Sequence, residues 1–197
     1  SNFAKKIQKD GIKCVKFNEY SSASSAFYNN RDHRKITVID GNIGFMGGIN
    51  LADEYANITH PFGYWKDTGL KLQGDAVKGL LQMFMQLWCI QEKTIEDFSK
   101  YFGENYSISN GVVCPFGDGP KYFYGDHISE NIYINLISQA KESIYITTPY
   151  LILDNRLKSA LCLASRRGVD VKIVTPHIPD KKIIFSITRS RGWCSNF

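Results

Sequence analysis

The sequence predicts an α/β fold: a mixed, largely parallel sheet flanked by helices. Three observations lead there. Short segments such as 65–72 and 143–147 alternate apolar and polar residues, which is strand period. Longer segments carry helical period, as in 76–90, where Val77, Leu80, Leu81, Phe84, Leu87 and Trp88 share one face. The two kinds of segment follow one another along 197 residues, and a hydrophobic content of 43% is enough for a real core. That length suits one ordinary domain or two small ones.

The elements follow in order. Phe3 to Lys9 reads as a short amphipathic helix that Gly11 ends, with a strand from Ile12 to Phe17. The serine-rich stretch 18–30 reads as a loop. His33 to Ile39 reads as a strand, Asp40-Gly41-Asn42 as a turn, and Ile43 to Met46 as a second strand. Gly47-Gly48 breaks the pattern, and Asn50 has the side chain to cap a short helix to Ala56. A strand over 65–72 and the amphipathic helix over 76–90 complete a first unit over 1–90.

The polar stretch 91–111 reads as a connection. A second unit over 112–197 opens with a short strand at Val112-Val113 and a turn at Gly117-Asp118-Gly119-Pro120, which lacks the lysine of a phosphate-binding P-loop. Then come a helix over 127–143, a strand over 143–147, and a helix capped by Asp154 or Asn155 and running to Arg167. Gly168 stops that helix, and a strand over 169–174 has an apolar run that predicts burial on both faces.

Composition excludes several classes. Twenty-four basic and nineteen acidic residues leave a net charge of +5, mild enough for an anionic partner but not diagnostic of one. The five cysteines are odd in number and none is paired at zinc-ligand spacing, so reduced thiols are expected rather than a disulfide scaffold. The apolar run from Leu80 to Ile90 is interrupted by Gln82 and Gln86 and is too short to span a bilayer.

The chemistry concentrates at residues 33–50. His33, Lys35 and Asp40 have the spacing His-x-Lys-x4-Asp, and Gly47-Gly48-Ile49-Asn50 follows. On a strand, residues two apart point the same way. An imidazole and an ammonium can then address one phosphorus, the first as nucleophile and the second on the phosphoryl oxygens. Asn50 can donate to those oxygens, and Gly48 allows backbone to approach closely. Asp40 has the opposite parity and sits in an Asp-Gly turn, so ordering the turn or pairing with a cation is its expected task. The scheme needs no metal and no cofactor.

This pattern resembles the HKD motif of the phospholipase D superfamily. The wider runs 30–41, 47–55, 63–68 and 148–150 resemble its bacterial cardiolipin synthases. The resemblance covers nearly the whole chain and fades after about Ser190. It implies a phospholipase D-like fold in two incomplete halves. The chain holds one motif only, since His60, His127 and His177 do not repeat the spacing. It also implies the transfer of a phosphatidyl group between two phosphatidylglycerol molecules, giving cardiolipin and glycerol through a phosphohistidine. His33, Lys35 and Asp40 would be the catalytic set. Lys35, Asn50 and Gly48 would hold the phosphate. In the superfamily an acidic residue at the start of a later strand fixes the histidine tautomer. Asp67 is the candidate here, and a plain strand-start residue is the alternative.

The implied partners are anionic phospholipid (phosphatidylglycerol), a membrane surface and a second copy of the chain. The implied location is the cytoplasmic membrane of the parent protein. Because the second motif is absent, the chain alone is expected to be inactive, or active only if a homodimer brings two copies of His33 together. A phosphodiesterase of the same superfamily acting on nucleic acid is less favoured, and a non-catalytic membrane-binding remnant is the further alternative. Tyr122-Phe123-Tyr124, Arg166-Arg167 and Lys181-Lys182 could also meet a base or an anionic headgroup, but read as ordinary surface or core residues.

Overall fold

A computed structural model describes residues 2–17, 32–104, 111–118 and 127–176. The chain divides into two compact units, one of residues 1–51 with 66–126 and the other of residues 52–65 with 127–197. The architecture is mixed α/β, with helices and two small sheets among the described residues.

In the first unit, helix α1 spans Asn2–Lys9. Gly11 ends it at φ +84, a conformation that costs glycine little. The strand expected over 12–17 is irregular chain instead. Strands β1 (Lys35–Ile39), β2 (Ile43–Gly47) and β3 (Gly69–Gln73) form an antiparallel meander. Parallel pairing therefore does not dominate among the described residues. The reason is local: β1 and β2 are joined by three residues, and a parallel pair needs a crossover of a dozen or more.

That connection is a tight turn. Asp40 and Gly41 both have positive φ, at 51° and 64°, and the Asn42 amide donates to the Ile39 carbonyl at 3.0 Å. Helix α2 (Ala76–Glu92) covers one face of the meander. Its buried stripe is Val77, Leu80, Leu81, Met85 and Cys89. The expected stripe was slightly rotated from this, and Phe84 stands 46% exposed. Val38 packs under the stripe together with Phe98 and Phe102, which flank a 3₁₀ turn at Phe98–Tyr101. Gly44 is buried because a β-carbon there would stand 2.7 Å from the Leu80 side chain. The strand expected at Val112-Val113 does not form; its neighbour Pro115 instead packs on α2 at Gly79.

In the second unit, α3 spans Ile128–Gln139, β4 Ser143–Thr147, α4 Asn155–Arg166 and β5 Asp170–Val174. Strands β4 and β5 are parallel and joined through α4. Asp154 caps α4 by accepting from the Leu157 amide at 2.8 Å, and Gly168 follows its end at φ +89. Ile137, Ala160, Leu161, Ala164 and Val169 form the core, with Ile144, Ile146, Val171 and Ile173 packed on it. Both strands alternate inward and outward residues, so β5 is not buried on both faces as its apolar run suggested. The Arg167 guanidinium closes the end of α3 by donating to the carbonyls of Ile137, Ser138 and Ala140 at 3.1, 3.1 and 3.4 Å.

Residues 52–65 form hydrogen-bonded turns where a short helix from Asn50 was expected. Cys14, Cys89 and Cys114 are free thiols. No helix among the described residues is long and apolar enough to cross a membrane. The loop 18–30, the aromatic run 122–124 and Lys181-Lys182 lie outside the described residues.

Candidate active site at one end of the three-stranded sheet

The register of the meander decides which candidate residues can meet. Lys35 pairs with Gly47, and Gly47 pairs with Gly69. The start of β1, the end of β2 and the start of β3 therefore lie side by side. His33 lies just ahead of β1 and Lys35 begins it, Gly48 and Asn50 follow the end of β2, and Asp67 precedes β3. Of the three residues in the cross-strand row, only Lys35 carries a side chain. Its neighbours in the row are glycines.

Strand parity places Lys35 away from α2. Ile36 and Val38 face the helix side, while Lys35, Thr37 and Ile39 alternate with them. The strand begins at Lys35, so His33 lies just ahead of β1 rather than within it. The side chain of Lys35 turns back toward that segment and donates to the His33 carbonyl at 2.6 Å. The segment is further pinned by Arg34, whose Nε donates to Asp32 Oδ1 at 2.6 Å. His33 itself is exposed.

The electrostatics centre on Lys35. Partial burial pulls its ammonium below the ordinary lysine value of 10.5, while the charges of Asp32 and Asp67 act in the opposite direction. A partly desolvated cation between two carboxylates is suited to receive a phosphate. Asp67 is held from both sides. Its Oδ1 accepts from the Thr68 amide at 2.7 Å, and its carboxylate lies against Gly48. A β-carbon on Gly48 would stand 2.7 Å from Oδ1 and 3.0 Å from Oδ2, and one on Gly47 would stand 2.8 Å from the Thr68 carbonyl. The glycine pair does permit a close approach, and the group that approaches is the lead-in to β3. The sequence carried no signal for that pairing.

Two candidate roles are not joined by contacts. Among the described residues no hydrogen bond or ion pair reaches the His33 imidazole, so Asp67 couples to Lys35 rather than bonding to His33. Asp40 lies five residues along β1 from Lys35, about 16 Å away at strand rise. It belongs to the far turn. There a groove of about 580 Å³ runs along β1 to Asp40 and Gly41, bounded by Lys100 and Tyr101, and includes neither His33 nor Lys35. Asn50 follows β2 at the cluster end and is half-buried. Among the described residues no group of three or more His, Cys, Asp or Glu is placed to hold a metal ion.

Residues 133–192 match a family described as "Cardiolipin synthase, PLD-like domain". The chain is 46% identical over 192 residues to an uncharacterized protein of Streptococcus mutans, covering 95% of this chain and 41% of that one. It is 40% identical over 164 residues to a cardiolipin synthase of Alkalihalophilus pseudofirmus, and 36% identical over 178 residues to a cardiolipin synthase 2 of Bacillus cereus. Each of those two alignments covers 82% of this chain and 32% of the relative. The chain thus spans about a third to two-fifths of the length of these relatives.

Proposed function

Because the chain belongs with the phospholipase D-like cardiolipin synthases, we propose that the His33 cluster carries phosphatidyl transfer between two phosphatidylglycerol molecules. The observation that supports this best is the convergence of His33, Lys35, Gly48, Asn50 and Asp67 at one end of a single sheet. His33 is exposed, and the Lys35 ammonium donates to its carbonyl.

In this reading an imidazole nitrogen of His33 attacks the phosphorus of one lipid. The bond from phosphorus to the terminal glycerol oxygen breaks, and that oxygen leaves with a proton. A phosphatidyl group now sits on the histidine. The primary hydroxyl of a second phosphatidylglycerol then attacks the same phosphorus, gives up its proton, and the phosphorus–nitrogen bond breaks. Lys35 holds the non-bridging oxygens through both steps, and Asn50 donates to them. Asp67 offsets the charge on Lys35 in the free site. Proton transfer to and from the alcohols requires a second acid–base group. We assign that task to a second imidazole.

Vesicles containing head-group-labelled phosphatidylglycerol test the reading. Released glycerol and labelled cardiolipin, both lost in His33→Ala, support it. Cleavage of labelled single-stranded DNA with no lipid turnover would move the site to nucleic-acid chemistry. Turnover that persists in His33→Ala would remove the site altogether.

A further inference from the structure

We propose that Lys71 selects the acceptor: it binds the phosphate of the second phosphatidylglycerol while Lys35 binds the phosphate under attack. The face of the meander away from α2 puts the two lysines on one surface. Gly44 faces the helix, since a β-carbon there would stand 2.7 Å from the Leu80 side chain. Phe45 therefore faces the other way, and it stands 41% exposed. Register pairs Thr37 with Phe45 and Phe45 with Lys71, so Lys35, Thr37, Phe45 and Lys71 share this face. Lys35, Gly47 and Gly69 form the neighbouring row. Lys71 thus lies two strands across and two residues along from Lys35. At ordinary strand spacing and rise, that puts their α-carbons about 12 Å apart. Each ammonium stands on a flexible stem, so both can reach groups held between them.

The surroundings of Lys71 leave its charge for an incoming anion. Its neighbours on this face are uncharged: Phe45 across, Gly69 and Gln73 along β3, and Ile43 and Gly47 on the diagonals. Lys78 and Lys100 of the same unit are instead held by carboxylates, Asp75 at 2.7 Å and Glu96 at 2.8 Å. Lys71 is exposed, and no ion pair reaches it among the described residues.

The chemistry of the transfer calls for a second anion at this range. The attacking hydroxyl sits at one end of the acceptor's glycerol, and the acceptor's own phosphate sits at the other. When that hydroxyl meets the phosphorus on His33, the two phosphates are one glycerol apart. Both are anionic and repel each other. Lys35 offsets one of them. A second cation set to the side offsets the other, and so favours an alcohol that carries a phosphate over one that does not. Gly69 lies between the two lysines. A β-carbon there would meet only the Met46 carbonyl, at 3.6 Å, an ordinary contact.

This inference rests on the transfer reading of the His33 site, and two measurements separate their failures. The first is binding of soluble probes to the full chain: deacylated cardiolipin, with two phosphates on one glycerol, against deacylated phosphatidylglycerol, with one. Wild type should hold the first about tenfold more tightly, and Lys71→Met should hold both alike. Lys71→Arg should keep the preference. Lys9→Met, which removes one charge from α1, should keep it too. The second measurement is competition between phosphatidylglycerol and ethanol for the phosphatidyl group on His33. Lys71→Met should shift the ratio of cardiolipin to phosphatidylethanol about tenfold toward the neutral alcohol. Gly69→Val, which fills the ground between the lysines, should shift it the same way. A ratio cancels changes in the amount of folded protein and in the first half of the reaction. Equal binding of the two probes by wild type overturns the proposal, as does a preference or a product ratio that Lys71→Met leaves unchanged. Loss of the preference in Lys9→Met overturns it in favour of overall charge. A preference that depends on Lys71, in a chain that turns over neither alcohol, leaves the second phosphate site standing and removes the transferase.

Discussion

The carboxylate of Asp67 occupies the place where a side chain on Gly48 would begin, with Oδ1 and Oδ2 at 2.7 and 3.0 Å from that position. This ties two distant parts of the sequence into one site. Gly48→Ala is predicted to push the carboxylate aside and lower kcat/KM by about tenfold or more, the scale of an overpacked contact of 1–3 kcal/mol. In an Asp67→Ala background the same change should cost little. A double-mutant cycle measures this coupling, and additive effects would show that the contact is irrelevant to activity.

Lys35 sets the pH response. Burial lowers its ammonium below 10.5, so the alkaline fall in kcat/KM should begin below the ordinary lysine range. Asp32 and Asp67 raise it, Asp32 the more strongly. Asp32→Asn should therefore move the alkaline limb to lower pH, and Asp67→Asn should move it the same way by less. The sign for stability follows. Between the lowered folded value and 10.5 the unfolded chain holds more protons on this group, so its contribution to stability rises with pH across that window. A pH–rate series on the three proteins checks the order.

Asp40 and Gly41 answer to the turn. Both have positive φ, and a β-carbon on Gly41 would collide with the backbone of Tyr101 and Gly103. Gly41→Ala should cost roughly 2 kcal/mol or more in urea unfolding. Asparagine tolerates positive φ well, so Asp40→Asn should stay within about 0.5 kcal/mol and keep most of the activity. Loss of turnover in a stable Asp40→Asn would return Asp40 to the chemistry.

The second unit depends on Arg167. Its guanidinium donates to three carbonyls at the end of α3, and Arg167→Ala leaves them without that donor. A loss of about 1–3 kcal/mol is expected, measured as a lower urea midpoint at constant slope. Arg167→Lys should recover part of it, because all three contacts come from the single nitrogen Nη2 and an ammonium can donate more than once in its place.

Much of this was legible in the sequence, for physical reasons. The Asp40-Gly41 turn, the Gly11 and Gly168 stops, the Asp154 cap and helix α2 all follow from local rules that tertiary contacts had no reason to override. The three-residue link between β1 and β2 made their antiparallel pairing legible, whereas the pairing of β2 with β3 was not, because parallel and antiparallel partners present the same alternation. The strands expected over 12–17 and at Val112-Val113 failed because apolar alternation needs a partner edge to become a ladder. In the candidate site, His33, Lys35 and Asn50 were singled out by their spacing, and strand register brings them to one end of the sheet. The meeting of Gly48 with Asp67 spans nineteen residues and depends on β2–β3 register, which no local pattern encodes.

The most direct test of the account is to trap the covalent intermediate. Full-length chain is mixed with phosphatidylglycerol labelled at phosphorus, quenched within one turnover, and digested for peptide mapping. The account predicts label on His33, labile in acid and stable in base, and absent from His33→Ala. Label on any other residue, or lipid turnover in His33→Ala, would contradict it.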